Sequence, residues 1–456
     1  MRKGAWCSVV LAIAMAGFGG CATMGTGTVD DPIAIQAATF AEPHESWLRP
    51  HLRPLFREGE WGAVLNFNRL GLEAMTRGQH DLAAMAFDES ITRVEAIYAN
   101  DENAAKARSL FNAEKVKDFK GEPYERSMLY FYRGLLYVHE GDFQNARAAF
   151  LAADRHDSLS SAESEQYAGD FGMMKYLASW ASWCDGDESR GAQLAAEARA
   201  ADPSIAGLPE RPGRAMVLID VGTGPRKVAE GEHRHILRFH PDSGLAPEVA
   251  VHEESGSTAR PLVQLADLNY QATTRGGREI DGILDGKAQF KGTTNTVGTV
   301  ALQAGAQMSM LGSIQGNRDV ANAGLAGMLV GLIAKGVAQA ATPAADVRAW
   351  STLPARVMMA SSNEASSKVS GYWWSGQPGP QPFALKTEGP QCSLAWARAG
   401  FISPEYSGTD EIDPMFREAE TTRVERNHAF RAMLAERLAP LQTASGQSAV
   451  APSTVK

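Results

Sequence analysis

One stretch of this chain, YFYRGLLYVHEGDFQNARAAFLAADRHD from Tyr130 to Asp157, spaces small and aromatic residues as neither a single helix nor a strand would. Gly134 and Ala146 stand where two antiparallel helices need small side chains for close approach, and Phe150 stands where a ring fills the space beside them. Gly141 lies between the two apolar runs, where a glycine suits a tight turn. The spacing therefore predicts a helical hairpin.

The same order of residues resembles the tetratricopeptide repeat, a helical hairpin of about 34 residues. The agreeing positions are Tyr130, Gly134, Tyr137, Gly141, Ala146, Phe150 and Ala153. A weaker copy lies upstream between Phe67 and Phe87, and another lies downstream between Ser179 and Pro203. Because about three such hairpins are needed for a stable stack, the sequence predicts a tetratricopeptide-like helical array over residues 46–206.

The first helix of each hairpin is expected to line the concave side of the array. The residues that this places on the inner face are Met128, Phe131, Leu135, Met173, Tyr176, Trp180 and Trp183. One interpretation is a groove for a partner segment, since aromatic anchors dominate protein recognition. The other is that the chain covers this face itself, because such stripes are more often core than binding site.

Beyond residue 207 the pattern changes to β-branched runs broken by Gly and Pro, which is typical of strands. Two helical stretches rich in Ala, Gly and Met, at 293–314 and 320–340, interrupt these runs. The sequence therefore predicts an α+β domain over 207–403 with an inserted helical hairpin. A charged amphipathic helix over 404–440, able to dock on the array, and a disordered tail over 441–456 are expected to follow.

The N-terminus has the charged, apolar and small-residue regions of a secretory signal, with Arg2 and Lys3 ahead of the apolar stretch. Phe18-Gly19-Gly20-Cys21 resembles the box that ends bacterial lipoprotein signals. On that interpretation residues 1–20 are removed, Cys21 carries several acyl chains such as palmitate, and residues 21–45 form a tether. Ala22 after the cysteine favours, by the same resemblance, the outer membrane. The alternative is an ordinary secretory signal with Cys21 incidental.

Two cysteines besides Cys21 would remain in the mature chain, Cys184 and Cys392, because Cys7 leaves with the signal. An oxidising periplasm permits them to pair. Their separation in space does not follow from their spacing in sequence, and we expect them to be free thiols.

Charge and motifs narrow the possible functions. The chain has 44 basic and 53 acidic residues with the basic ones scattered, which makes nucleic acid an unexpected partner. His233, His235 and His240 have no Cys, Asp or Glu at ligand spacing beside them, and GTGPRK lacks the spacing of a phosphate-binding loop. We therefore predict no metal, no cofactor and no enzyme activity.

Two short segments in the strand-rich half carry a further resemblance. Gly222, Pro225, Arg226 and Lys227 form the first, and Asp346, Arg348, Trp350, Leu353 and Pro354 form the second. With the repeat, they resemble a family of bacterial lipoproteins that join a tetratricopeptide array to a domain with G-x-x-P-R-K and D-x-R-x-W-x-x-L-P segments. The resemblance runs from Trp61 to Ala360. It implies the architecture and an envelope location, and it implies no activity.

Three hypotheses of function follow. The first is an adaptor anchored in the outer membrane, facing the periplasm, whose groove or C-terminal domain binds envelope proteins in cell-wall synthesis or surface export. The second is a membrane-inserting or pore-associated oligomer, suggested by the G-x-x-x-G pair Gly327 and Gly331. The third is an enzyme with its site in the strand-rich domain.

Overall fold

The structure is a computed structural model. It describes fourteen segments of the chain, namely 32–99, 117–158, 171–202, 205–230, 236–240, 248–253, 259–260, 262–273, 346–363, 367–374, 381–387, 392–399, 420–421 and 423–442. Helices and strands occur in separate parts of these segments, so the predicted α+β class is confirmed. Cys21, His233, His235, Gly327, Gly331 and the predicted inserted hairpin lie outside the described residues.

Helices make up most of the described residues up to residue 202. Their bounds are α1 Pro32–Ala41, α2 Arg49–Glu58, α3 Ala63–Thr76, α4 His80–Ala99, α5 Pro123–His139, α6 Phe143–Ser158, α7 Gly172–Cys184 and α8 Glu188–Ala201. The pairs α3–α4, α5–α6 and α7–α8 pack together as hairpins. Each hairpin turns at a glycine with positive φ, namely Gly78 at 71°, Gly141 at 77° and Gly186 at 86°. Three helical hairpins are therefore present, while their assignment as tetratricopeptide repeats stays a prediction.

Glycines also set how closely the two helices of a hairpin approach. A Cβ on Gly71 would lie 2.6 Å from the ring of Phe87, and one on Gly134 would lie 2.5 Å from the ring of Phe150. In the third hairpin the roles are exchanged, because a Cβ on Gly191 of α8 would lie 2.6 Å from the ring of Trp183 in α7. In the third hairpin the glycine therefore lies in the second helix and the aromatic ring in the first, which is the reverse of the other two hairpins.

Strands make up most of the described residues between 215 and 399. They are β1 Ala215–Val221, β2 Arg226–Glu230, β3 Ile236–His240, β4 Glu248–Glu253, β5 Ala259–Arg260, β6 Val263–Asp267, β7 Arg356–Ser362, β8 Ser367–Trp374, β9 Gln381–Thr387 and β10 Ser393–Ala399. One mixed sheet has the order β10-β1-β7-β6, with β1 and β10 parallel. A second sheet has the order β5-β4-β8-β9, and β2 pairs with β3 as a separate ribbon. A short helix, α9 Leu268–Thr273, follows β6.

The mixed sheet packs directly on the helical array. Every residue of β1 is buried, as expected of a central strand with both faces covered. Met216 and Leu218 share one apolar core with the helices, and Val217, Ile219 and Val221 form a second cluster on the opposite face. The helical and strand-rich halves thus have a common core.

The two ends of the described chain pack against each other. Helix α10, Val424–Leu438, docks on the array, where the ring of Phe430 meets that of Phe67 at 5.9 Å and Arg431 donates to the carbonyl oxygen of Phe56 at 2.9 Å.

Helix α1 corrects the predicted tether, because it buries Ala37 and Ala41 within residues 21–45. Phe40 stacks on Phe56, so this segment has an apolar face that a tether lacks.

Among the described helices, none is both long enough and apolar enough to cross a bilayer.

The close approach within the hairpins can be tested at Gly134. We expect Gly134→Ala to lower the free energy of unfolding by about 1–3 kcal/mol, because the new methyl group overpacks against Phe150. Urea unfolding followed by circular dichroism measures this. Gly207→Ala is the matched control, since a Cβ there meets nothing within 4 Å. Equal unfolding midpoints for the two variants would contradict the packing argument.

Candidate functional site

The predicted partner groove is not open. Met128, Phe131, Leu135, Met173, Tyr176 and Trp180 are fully buried, and Trp183 alone among the seven is partly exposed. Tyr176 donates a hydrogen bond from its hydroxyl to the carbonyl oxygen of Pro209 at 3.0 Å, and the indole N–H of Trp180 donates to that of Gly213 at 3.0 Å. The prediction of an exposed groove is corrected, because the segment leading into β1 covers these side chains.

The two segments behind the family resemblance meet at one buried carboxylate, that of Glu125 in the first turn of α5. Lys227 donates from Nζ to Glu125 Oε2 at 2.7 Å, and the backbone N–H of Trp350 donates to Glu125 Oε1 at 2.7 Å. Both charged side chains of the pair are 1% exposed. Residues far apart in sequence thus converge on the start of one helix.

Local sequence explains why a carboxylate lies there. Glu122 and Glu125 form a capping box, in which the backbone N–H of Glu122 donates to Glu125 Oε2 at 2.7 Å. Pro123 opens the helix, where the missing N–H costs nothing. The positive end of the helix further favours a negative charge. Three donors and the helix end therefore stabilise the buried carboxylate of Glu125.

Arg348 and the glycine-rich turn complete this junction. Asp346 binds the guanidinium of Arg348 at 2.7 Å, and the guanidinium in turn donates to the carbonyl oxygens of Trp61 and Lys117, each at 2.8 Å. The backbone N–H of Gly224 donates to the carbonyl oxygen of Leu353 at 2.8 Å, joining the two segments directly. We call Glu125, Lys227, Arg348 and Trp350 the junction. The amine of Lys227 and the guanidinium of Arg348 both bind groups of the protein itself.

A second polar cluster lies between α5 and the mixed sheet. The hydroxyl of Tyr132 donates to Asp220 Oδ2 at 2.7 Å, and Asp220 stands beside Arg398 in the register of β1 and β10. Burial raises the pKa of Asp220 to about 6, although Arg398 and the hydrogen bond from Tyr132 oppose that rise. Arg398 also donates to the carbonyl oxygen of Thr352. The cluster thus connects helix α5 with strands β1 and β10 and with the segment before β7.

Metal ligation finds no support among the described residues, where no three His, Cys, Asp or Glu side chains are grouped to hold an ion. His240 lies 3.4 Å from Glu230 across the β2–β3 ribbon, and both side chains are about half exposed. The arrangement is a surface pair across two strands.

Cys184 and Cys392 form a disulfide, which corrects the expectation of free thiols. Packing of the sheet on the array brings the last residue of α7 and the residue before β10 to a Cα–Cα distance of 5.6 Å. The two cysteines are 208 residues apart in sequence, so only the tertiary structure could show the pairing.

A cleft of about 260 Å³ opens beside this disulfide, and we call it the disulfide cleft. It is lined by Trp180, Trp183, Cys184, Gly186, Arg211, Pro212, Gly213, Arg214 and Cys392. The guanidinium of Arg211 lies 5.6 Å from the centre of the Trp183 ring and forms two hydrogen bonds with Glu188, at 2.7 and 2.8 Å. This cleft is the exposed remainder of the predicted groove, and its guanidinium groups were not found by sequence reasoning.

Comparisons of the chain with protein-family models, with curated proteins and with solved structures gave no match. The interpretation of the site therefore depends on its geometry.

The junction makes a prediction about stability. Lys227→Met should lower the free energy of unfolding by about 3–5 kcal/mol, because it leaves the carboxylate of Glu125 buried without its cation. Adding Glu125→Gln should recover part of that loss, and chemical denaturation of both variants measures it.

Arg77→Met is the surface control, since Arg77 pairs with Glu73 at 2.7 Å while being 46% exposed. Exposed pairs contribute about 0–1 kcal/mol. A loss in Lys227→Met no larger than in this control would show that the buried pair does not stabilise the fold.

Proposed function

We propose that this protein is an outer-membrane-anchored periplasmic lipoprotein that acts as an adaptor for other envelope proteins, and that partners bind at the disulfide cleft. The observation that carries the proposal is the pairing of a partly exposed tryptophan, Trp183, with the guanidinium of Arg211 at the cleft. Tryptophan and arginine are enriched among the residues that dominate binding energy at protein interfaces.

Rigidity of the surroundings supports this role. Gly191 packs against the ring of Trp183, and the disulfide holds one wall of the cleft. The junction fixes the strand-rich half on the array through buried contacts. A surface that is already ordered loses less conformational entropy when a partner binds. The cleft is thus suited to bind a segment without first rearranging.

The anchor limits where partners can lie. Helix α1 begins at Pro32, so ten residues, 22–31, separate it from Cys21. A fully extended stretch of that length spans at most about 36 Å. An acylated Cys21 would therefore keep the array close to the membrane surface, and partners would be envelope proteins that reach this zone. Whether the setting is cell-wall synthesis or surface export depends on which partner binds.

The anchor is tested by Cys21→Ser. We expect the wild-type protein to incorporate a fatty-acid probe and to fractionate with the outer membrane, because several acyl chains hold a protein there stably. The variant should incorporate no probe and appear in the soluble periplasmic fraction. A wild-type protein that remains unlabelled, or a variant that stays with the membrane, would contradict the proposal.

The cleft is tested by site-specific photo-crosslinking in living cells. A crosslinking amino acid placed at Arg214, an exposed residue of the cleft that is not part of the Trp183–Arg211 pair, should give discrete adducts. Trp183→Ala should weaken these adducts about tenfold or more, as expected for a binding anchor.

Arg155 is the matched control position, because it too is an exposed arginine and it does not line the cleft. Identical adducts from both positions, or adducts insensitive to Trp183→Ala, would show that the cleft is not the binding surface.

A further inference from the structure

The disulfide has an unusual position for a purely structural crosslink, because both of its cysteines line the disulfide cleft. Cys392 is 9% exposed and Cys184 is 2% exposed. Both residues are thus largely buried, and Cys392 is the more exposed of the two, so we assign it as the residue that a thiol entering the cleft meets first.

The cleft that contains the disulfide also contains two arginines. Arg211 and Arg214 line the same cleft. Nearby guanidinium groups stabilise a thiolate, and a more stable leaving thiolate makes thiol–disulfide exchange faster. Cys184 is the last residue of α7, where the negative helix end opposes a thiolate. We therefore assign the stabilising positive charge to the two cleft arginines, of which Arg211 also binds Glu188.

The bond also joins two parts of the fold that could respond to its loss. Cys392 immediately precedes β10. Among the described strands of the mixed sheet, β10 is at an edge and pairs with β1. The backbone N–H of Ser393 donates to the carbonyl oxygen of Arg214, a cleft residue, at 3.0 Å. Cleavage would remove the covalent link between the start of β10 and the array and would leave the hydrogen bond to Arg214 and the pairing with β1 to hold this wall of the cleft.

We propose that Cys184 and Cys392 form a redox-exchange site, and that its substrate is a dithiol protein that reaches the disulfide through the cleft. A thiolate of the dithiol attacks Sγ of Cys392. A mixed disulfide forms, the Cys184–Cys392 bond breaks, and Cys184 leaves as a thiolate that takes a proton from solvent. This proposal requires neither the anchor nor the adaptor role.

The second thiol of the dithiol completes the reaction. After losing its proton, this second thiol attacks the sulfur that the dithiol protein contributes to the mixed disulfide. Cys392 then leaves as a thiolate and is protonated. Two electrons and two protons have passed to the cystine, and the dithiol has become a disulfide. The product is a folded chain with two thiols and a wall of the cleft that is no longer crosslinked.

The experiment measures reduction of the folded, full-length protein by dithiothreitol. Samples are quenched with iodoacetamide, and the labelled peptides are identified by mass spectrometry. We expect both cysteines to become labelled without denaturant, at a rate that is unchanged by urea below the unfolding transition. A rate that rises with urea in step with the unfolding equilibrium would mean that the disulfide opens only by unfolding, and would overturn the proposal.

A pair of variants tests the role of the arginines. Arg211→Gln with Arg214→Gln should slow reduction about threefold or more, because the leaving thiolate loses its stabilising charge. Arg155→Gln is the control for removal of an exposed arginine and should reduce at the wild-type rate. An unchanged rate in the double variant, with an unfolding midpoint like the wild type, would overturn the assignment of this cleft as a reaction site.

Discussion

The buried ion pair between Lys227 and Glu125 is the interaction on which the rest of the structure depends. Burying both charges costs several kcal/mol per ion unless the geometry is good and the remaining hydrogen-bonding groups are satisfied. Here the capping box, the N–H of Trp350 and the helix end meet that requirement together. Because these partners come from three separate segments, only one placement of the strand-rich half on the array satisfies them all.

That placement decides which surface can have a function. Once the sheet and the segment before β1 cover the inner face of the array, its aromatic side chains become core, as Tyr176 and Trp180 show through their hydrogen bonds to Pro209 and Gly213. Only the end of the stripe, at Trp183, reaches the surface. The candidate site therefore lies at the rim, where the array, the covering segment and the start of β10 meet.

The disulfide at this rim links the structure to the proposed location. Disulfides persist in oxidising compartments such as the periplasm, so the pairing of Cys184 with Cys392 is consistent with the predicted secretory signal and with the predicted lipoprotein box at Cys21. A crosslink lining a binding cleft would let the redox state alter that cleft.

Sequence alone determined the features that depend on near neighbours in the chain. The hairpins could be predicted because Gly134 and Phe150 are 16 residues apart and meet within one unit. The α+β class followed in the same way from local periodicity. Tertiary structure alone decided the rest. Glu125 and Lys227 are separated by 102 residues and the two cysteines by 208, and periodicity shows that a face is apolar without showing what covers it. The side chains of the predicted groove are buried, and the two cysteines form a disulfide, because long-range packing places the strand-rich half on the array. No local pattern in the sequence encodes that packing.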